Sequence, residues 1–430
     1  MKPAPTGAPT LEAVTIQQIS LRIVPFLIVC YFFAFISRTN AGLAALQMNQ
    51  DVGLSPTAFG FGGSLFFVSY TLFGIPCNLA LVRVGARLWL GLMILALSLS
   101  SLAMVLVTGP TSYYLTRFAL GAAEAGFFPG AVFYLTCWFP RVYRARVIAA
   151  FMMAIPLSSF LGSPLSAALL GLEGRGGLHG WQWMFLLEAL PIVLLGLIAF
   201  YVLPDSPARA RWLQPARAEW LAGRLAAERA DAGPAARPAF WRALLDGRIV
   251  LLSLAYAASS AASNSLSLWQ PQIIQSFGLG NMATGLLNAV PFGLGVVAMI
   301  GWGRHSDKTG ERRLSTALPL LLCAVSLSLT LGTKSLPVTM VILSVAMIGT
   351  YAIKGPFWAL AADWLAPETA STGIAAINTL AHVATFGAIY LIGAIKSSTG
   401  SFPLALLPLV GLGLAGAGGL ILTGYRSRAA

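Results

Sequence analysis

The chain has 430 residues, of which 57% are hydrophobic and only 10% are charged, and its mean hydropathy is +0.79. A soluble domain carries about 25% charged residues, so this composition excludes an ordinary soluble protein and is typical of one that crosses a membrane many times. The net charge of +13 does not indicate a nucleic-acid-binding protein. The basic residues lie in short segments between apolar runs, where they mark membrane topology.

Repeated apolar runs of about 20 residues predict twelve membrane-spanning helices, which we number as spans 1 to 12. The first twenty residues are polar and rich in Pro and Ala, without a basic-then-apolar leader, so span 1 itself is expected to act as an uncleaved insertion signal. The predicted limits of the spans are about 21–43, 58–80, 87–108, 112–138, 146–171, 182–203, 248–270, 284–302, 315–332, 337–362, 371–395 and 402–424.

The distribution of lysine and arginine predicts the orientation of these spans. With a cytoplasmic N-terminus, the inside segments hold most of the basic residues, including eight arginines between Arg209 and Arg248. The outside segments then hold only Arg175, Lys334 and Lys396. We therefore predict that both termini are cytoplasmic.

Residues 204–247 interrupt the even spacing of the apolar runs. Ser206 followed by Pro207 is typical of a helix N-cap and first helical position, and apolar residues follow at helical spacing. This predicts an amphipathic helix under the membrane that links two six-helix halves and carries no chemistry of its own. The helix would bury Trp212, Leu213, Trp220, Leu221 and Leu225. The predicted division is a cytoplasmic tail (1–20), a first half (21–203), the linker (204–247), a second half (248–424) and a second cytoplasmic tail (425–430).

Two charged residues, Arg117 and Glu124, lie inside span 4. Seven residues make nearly two helical turns, so both side chains fall on one stripe, about 10 Å apart along the helix axis. A charge at bilayer depth costs at least about 2.5–3.5 kcal/mol. We therefore expect the pair to face a wet cavity, with room for a small molecule between the two charges.

Arg38 in span 1 and Lys354 in span 10 are further intramembrane cations. The planar guanidinium group suits a carboxylate, so Arg38 and Arg117 are candidate substrate ligands; the alternatives are snorkelling for Arg38 and a structural partner for Arg117. Lys354 either binds the substrate or is neutralised by Asp363, Glu124 or a backbone carbonyl. Three cations against Glu124 give the cavity a formal charge of +2, which favours an anion with two acidic groups or a carboxylate with a second polar anchor.

Glu124 is the candidate proton carrier. Burial disfavours the ionised form of a carboxyl group and a nearby arginine favours it, so arrival of a substrate would move a proton; the alternative is a carboxylate that only packs between helices. His382 could titrate near neutral pH, although a hydrogen-bonded core histidine is the simpler interpretation. Asp363 and Glu188 are expected to be structural, and Asn264 is a weaker candidate for the cavity lining.

The segments that follow spans 2 and 8 repeat one another, as a duplicated six-helix unit would leave them. Residues 82–87 align with residues 307–312. Twelve spans, a long central linker and this basic turn resemble the major facilitator superfamily, which implies an all-α fold of two pseudo-symmetric six-helix halves. The first copy departs from the pattern, with Val82 at the acidic position and Asn78 at the glycine. The resemblance implies a conformational latch built from Asp307, Arg83, Gly85, Arg87, Lys308, Gly310 and Arg312.

Several shorter stretches resemble one group within that superfamily, the anion:cation symporters, and its bacterial tartrate, phthalate and galactonate permeases in particular. These stretches are residues 63–70, 117–129, 138–146, 180–183, 203–207, 269–272 and 355–358. The resemblance implies proton-coupled movement of an organic anion by alternating access around a site between the halves. It places Arg38 and Arg117 on the substrate carboxylate, makes Glu124 a proton carrier and puts Tyr70 and Asn378 in the polar lining. Relatives usually carry an acidic residue just before the first arginine, where this chain has Ser37, so a second proton carrier is missing.

The sequence therefore predicts a proton-coupled symporter that takes up a carboxylate, dicarboxylate, aromatic acid or sugar acid across a bacterial inner membrane, as a monomer and without a cofactor or metal. A non-transporting membrane sensor and a proton-coupled drug antiporter are the alternatives. An enzyme is not predicted, because the sequence shows no constellation of catalytic residues. The four cysteines lie in apolar segments without metal-like spacing: Cys30, Cys77, Cys137 and Cys323.

Overall fold

The computed structural model describes residues 11–230, 246–365 and 370–423. Regular secondary structure within these ranges is helical throughout. Twelve helical segments in them are long and apolar enough to cross a membrane. The prediction of an all-α polytopic membrane protein is confirmed.

The first half contains spans 1 to 6, and two of these spans are broken in the middle. Span 1 bends at Asn40 and span 5 bends at Met153. In chain order the helices are Leu11–Thr39 and Ala41–Asp51 (span 1), Pro56–Val84 (span 2), Ala86–Ala103 with the turn Met104–Leu106 (span 3), Pro110–Trp138 (span 4), Arg141–Met152 and Ala154–Leu170 (span 5) and Gly180–Val202 (span 6).

The second half contains spans 7 to 12, and span 10 bends at Ile353. The helices are Gly247–Gln275 (span 7), Asn281–Thr309 (span 8), Arg313–Ser328 with the turn Leu329–Gly332 (span 9), Leu336–Ala352 and Lys354–Trp364 (span 10), Ala370–Thr399 (span 11) and Phe402–Ala405 and Leu407–Leu422 (span 12).

Span 1 begins at Leu11, well before the predicted limit at residue 21. Polar residues obscure this part of the helix in the hydropathy pattern, and two of them are satisfied by backbone carbonyl groups. Thr15 Oγ1 donates to the carbonyl oxygen of Leu11 at 2.6 Å, and Gln18 Nε2 donates to the carbonyl oxygen of Trp212 at 2.8 Å. The start of span 1 therefore packs against the linker, so residues 11–20 are not a separate tail.

The helix predicted to start at Ser206 is misplaced. Ser206 and Pro207 begin only a short 3-10 turn, and the linker helix runs from Pro215 to Ala230. The helix starts at Pro215, and the ring of a proline suits the first helical turn. Leu221 and Leu225 are buried as predicted, whereas residues 231–245 lie outside the described residues.

The two repeated turns have the same backbone feature. Gly85 has a φ of 88° and Gly310 a φ of 69°, the left-handed region that glycine tolerates best. Arg312 Nη1 donates to Asp307 Oδ1 at 2.7 Å inside the second half, and Arg87 Nη1 of the first half pairs with Asp205 Oδ2 at the start of the linker, at 3.2 Å. Neither ion pair joins the two halves, so the latch remains a prediction.

The halves meet where backbones approach closely without side chains between them. A Cβ atom at Gly42 would lie 2.8 Å from the carbonyl oxygen of Leu268, and one at Gly393 would lie 2.4 Å from the carbonyl oxygen of Pro56. A Cβ at Gly285 would lie 2.2 Å from that of Ala167. We call this region, defined by Gly42, Gly285 and Gly393, the sealed end; the predicted orientation places it outside.

Contact between the halves reaches from the sealed end to the middle of the molecule. Thr71 Oγ1 of span 2 and His382 Nδ1 of span 11 lie 3.4 Å apart. The structure is therefore closed at the sealed end, and the halves remain in contact as far as the middle of the molecule.

We expect Gly393→Ala to open the sealed end, because the added methyl group must push span 11 away from Pro56; overpacking of this kind costs about 1–3 kcal/mol. The matched control is Gly387→Ala on the same helix, where the space is open. The measurement is the distance between spin labels on Arg175→Cys and Lys334→Cys, one in each half, in a cysteine-free background. Equal distance distributions in the two variants would contradict the role of this contact.

Candidate functional site

Arg38 lies in the last turn before the bend in span 1 and contacts both halves. Its Nη1 donates to Glu124 Oε1 at 2.8 Å, and its Nη2 donates to Asn264 Oδ1, also at 2.8 Å. Glu124 belongs to span 4 in the first half and Asn264 to span 7 in the second half. One guanidinium group therefore joins three helices, and it does so at the boundary between the halves.

Arg117 lies on the same face of span 4 as Glu124, as the seven-residue spacing predicts. Its Nη1 points toward the carbonyl oxygen of Arg38 at 3.5 Å, at the limit of a hydrogen bond. The expectation that a small molecule fits between Arg117 and Glu124 needs correction, since Arg38 reaches both of them in this structure. A substrate would have to displace Arg38 from Glu124 or bind beside it.

Phe66 of span 2 separates the two arginines. The guanidinium carbon of Arg38 lies 4.7 Å from the centre of its ring, and that of Arg117 lies 5.6 Å from it. Gly121 allows this arrangement, because a Cβ there would lie 2.2 Å from the carbonyl oxygen of Phe66. The negative face of the ring partly offsets the two positive charges.

The two arginines and Asn264 line a cleft between the halves. Its free volume is about 20 Å³, room for about one water molecule and far below that of ligand pockets, about 300–1,000 Å³, so the cleft must widen to admit an organic anion. The lining combines cations and polar groups with aromatic and aliphatic side chains, as an organic anion requires. The lining residues are Arg38, Thr39, Gly63, Phe66, Phe67, Arg117, Asn264, Ser267, Leu268 and Ile389.

Two polar atoms at this site are buried and lack a hydrogen-bond partner within the described part of the chain. They are Glu124 Oε2, an acceptor, and Arg117 Nε, a donor. Buried polar groups in native proteins are nearly always satisfied, and leaving one unsatisfied costs about 1–3 kcal/mol. Arg117 Nε can therefore donate to a ligand carboxylate, whereas Glu124 Oε2 can accept from a hydroxyl group or bind a proton.

Lys354 is the first residue after the bend in span 10, and it has none of the carboxylate partners considered for it. Glu124 is paired with Arg38, and Asp363 is exposed. Lys354 Nζ instead lies 5.3 Å from the centre of the Tyr351 ring, and the positive charge of Arg38 acts on it. Its own charge is therefore uncompensated by any carboxylate within 4 Å among the described residues.

The remaining predicted site residues lie around this centre. Tyr70 packs edge-on against His382, with 4.8 Å between ring centres, where spans 2 and 11 meet. Asn378 Nδ2 donates to the carbonyl oxygen of Ile374 on its own helix, at 2.9 Å. Ser37 is buried, and its hydroxyl group has no partner in the described ranges. Tyr70 and His382 thus form one cluster. Among the described residues, neither the Asn378 side chain nor the Ser37 hydroxyl group forms a hydrogen bond with an arginine.

The sequence did not identify a second polar cluster, centred on Glu188. Asn40 Nδ2 donates to Glu188 Oε2 at 2.7 Å, and Ser166 Oγ donates to Glu188 Oε1. Asn40 follows Arg38 by two residues, which was the available signal, but its partner in span 6 is remote in sequence. Asn264 was only a weak candidate for a similar reason, because its contact with Arg38 crosses between the halves.

Comparisons with known proteins identify the family. The sequence matches the Major Facilitator Superfamily over residues 27–389. A protein of Agrobacterium vitis named as a proposed tartrate transporter is 44% identical over 94% of this chain and 89% of its own length. A quinolone resistance transporter of Acinetobacter baumannii is 35% identical over 92% of this chain and 91% of its own length.

Among solved structures, a bacterial homologue of the human lysosomal transporter Spinster, in an inward-facing and occupied conformation, superimposes with a TM-score of 0.75. It shares 17% sequence identity and covers 97% of both chains, so it supports the fold alone. Fold and relatives together define a multi-pass membrane transporter and not an enzyme. The chain belongs to the Major Facilitator Superfamily, and the predicted fold of two six-helix halves is confirmed.

The bond from Arg38 to Asn264 can be tested by a double-mutant cycle with Arg38→Lys and Asn264→Ala. Each change should lower the thermal unfolding temperature, since a hydrogen bond to a charged group contributes about 1.5–3 kcal/mol and lysine lacks the two-pronged geometry of arginine. The double variant should lose less than the sum of the two single losses. Arg83→Lys, at an exposed position, is the control and should change stability by about 0.5 kcal/mol or less. Strictly additive losses would contradict the bond.

Proposed function

We propose that this transporter couples uptake of a small organic anion to protons by alternating access between its two halves. The observation that carries the proposal is the ion pair between Arg38 and Glu124 at the cleft between the halves. In that pair a cation that suits a carboxylate is held by a carboxylate that can take up a proton. The resemblance to a proposed tartrate transporter supports an anionic substrate.

In this mechanism the Glu124 carboxylate and the substrate carboxylate compete for one side chain, that of Arg38. Once Glu124 is protonated it loses its charge, and the attraction that holds Arg38 weakens. Arg38 then turns to the substrate carboxylate, with Arg117 as the second donor from the cleft wall. Proton binding therefore precedes or accompanies anion binding, which is the requirement for symport.

Movement of Arg38 would also change the contact between the halves. Its second bond goes to Asn264 in the second half, so a substrate that binds Arg38 acts on both halves at once. Alternating access requires such a ligand-dependent link near the middle of the membrane. Release would then occur into the cytoplasm, given the predicted orientation with both termini inside.

Lys354 favours a substrate with two acidic groups. It supplies a third cation near Arg38 that no described carboxylate neutralises. A dianion carried with one proton would move net negative charge against an inside-negative potential, at about 2.3 kcal/mol per charge per 100 mV. A dicarboxylate such as tartrate therefore requires a second proton. The protein would work in a bacterial inner membrane as a monomer.

The coupling role of Glu124 can be tested with tartrate in liposomes. Glu124→Gln mimics the protonated carboxyl group, so it should retain exchange of internal for external labelled tartrate and lose accumulation driven by a pH gradient. Glu219→Gln on the exposed face of the linker helix is the control and should accumulate tartrate normally. Accumulation that still responds to the pH gradient in Glu124→Gln would exclude this role.

The role of Lys354 can be tested by thermal stabilisation with tartrate and with the monocarboxylate glycerate. Lys354→Gln should weaken tartrate binding about 10- to 100-fold, the loss of one charge-assisted contact of about 1.5–3 kcal/mol, and leave glycerate binding unchanged. Arg38→Ala should abolish stabilisation by both compounds, since each presents a carboxylate to it. Equal effects of Lys354→Gln on the two ligands would show that Lys354 does not read the second acidic group.

Drug export is the second candidate, favoured by the similarity to a quinolone resistance transporter. Quinolones carry a carboxylate that could bind Arg38, but the basic amine that many of them also carry would be repelled by Lys354 and the two arginines. Expression in a quinolone-sensitive strain distinguishes the candidates. Increased resistance without tartrate uptake would favour export.

A further inference from the structure

We propose that Glu188 binds and releases a second proton during the transport cycle and that this proton controls closure of the sealed end. The proposal rests on the proposed function, since it supplies the second proton that a dianionic substrate requires. Sequence reasoning treats Glu188 as structural, and the observations below favour a different role.

Glu188 is a buried carboxyl group that is held by neutral side chains. It is 2% exposed, and its two oxygens accept hydrogen bonds from Asn40 and Ser166. Within the described ranges, Glu188 has no Lys, Arg or His partner within 4 Å, in contrast to Glu124. An isolated buried charge is costly, and two neutral donors offset only part of that cost. Both the ionised and the neutral form are therefore accessible to this group.

The surrounding cluster can satisfy the protonated form as well. Asn40 Oδ1 is buried and has no hydrogen-bond partner among the described residues. Rotating the Asn40 amide by about 180° exchanges its nitrogen and oxygen, so a protonated Glu188 can donate to Oδ1 where the ionised form accepts from Nδ2. One hydrogen bond replaces another, and the proton is the only group added.

Charged groups on the neighbouring helices are remote or engaged elsewhere. In span 1, Arg38 is bound to Glu124 and Asn264, and Asp51 accepts from Trp181 Nε1 and faces His179 at 3.3 Å. In span 3, Arg87 lies at the far end and pairs with Asp205. The helix Ala154–Leu170 of span 5 and the turn Met104–Leu106 contain no titratable residue, and the other titratable residue of span 6 is Tyr201, which is 90% exposed. Asn40 and Ser166 therefore dominate the environment of the Glu188 carboxyl group.

One turn of span 5 separates the Glu188 cluster from a hydrogen bond between the halves. Ser163, one turn before Ser166, accepts a bond from Asn288 Nδ2 of span 8 at 2.9 Å. Asn288 Oδ1 in turn accepts from Gln270 Nε2 at 2.8 Å. The next residue after Ser166 is Ala167, which packs on Gly285 at the sealed end. A shift of Ser166 on protonation would therefore act directly on the junction of spans 5 and 8.

Asn40 connects the same cluster to the anion site. It lies at the bend in span 1, two residues after Arg38, so both sites act on one bend. Ser37 leaves span 1 without an acidic residue beside Arg38, and Glu188 supplies a carboxyl group from span 6 instead. Two protons, on Glu124 and Glu188, would make uptake of a dianion electroneutral.

The test uses the full chain in lipid nanodiscs without substrate, so its result is independent of tartrate transport. Spin labels at Arg175→Cys and Lys334→Cys report the width of the sealed end between about pH 4.5 and 8. We expect the distance distribution of the parent protein to shift with pH, and Glu188→Gln to show the low-pH distribution at every pH. Glu188→Asp should restore the shift, and infrared difference spectra should lose one protonated-carboxyl band in Glu188→Gln.

Ser166→Ala provides a second variant that retains the carboxyl group. It removes a donor to the ionised form, so the midpoint of the distance change should move to higher pH. An unchanged pH response and an unchanged infrared spectrum in Glu188→Gln would overturn the proposal, as would a distance change that follows sodium and not pH. Either result would leave the role of Glu124 standing if Glu124→Gln behaves as predicted with tartrate.

Discussion

The structure depends on how one guanidinium group is neutralised inside a membrane. Arg38 places one nitrogen on Glu124 in its own half and another on Asn264 in the opposite half. A lone charge at this depth would be costly, so each partner that leaves Arg38 must be replaced. In the proposed mechanism a carboxylate substrate would be such a replacement, and a proton on Glu124 would create the need for one. Proton binding, substrate binding and conformation would then be linked through the same side chain.

The position of Arg38 near the sealed end connects this link to the contact between the halves. At the sealed end, glycines at positions 42, 285 and 393 let the backbones of the two halves approach closely. Further along the same contact, spans 2 and 11 meet at Thr71 and His382. Small residues hold the sealed end by close packing, which is easily disturbed by a shift of one helix. The bends at Asn40, Met153 and Ile353 lie in spans that carry or adjoin the polar groups, so local changes there can alter helix direction.

The two intramembrane carboxyl groups are held in opposite ways. Glu124 is balanced by a cation that the substrate also needs, whereas Glu188 is held by an amide and a hydroxyl group. As proposed above, the first arrangement would couple a proton to the anion and the second would couple a proton to the contact between the halves. Lys354 has no carboxylate partner among the described residues. It therefore adds a positive charge that neither Glu124 nor Glu188 neutralises.

The sequence determined the number of spans, because about twenty apolar residues are required to cross the bilayer, and it identified Arg38, Arg117, Glu124 and Lys354, because charges at that depth are rare. It misplaced the start of span 1 and of the linker helix, where polar residues are satisfied by contacts with distant segments. Only the tertiary structure placed Arg38 between Arg117 and Glu124, left Lys354 without its expected partners and joined Asn40 to Glu188. These are contacts between helices remote in the chain, and helical periodicity specifies which face a residue occupies but not which helix lies opposite.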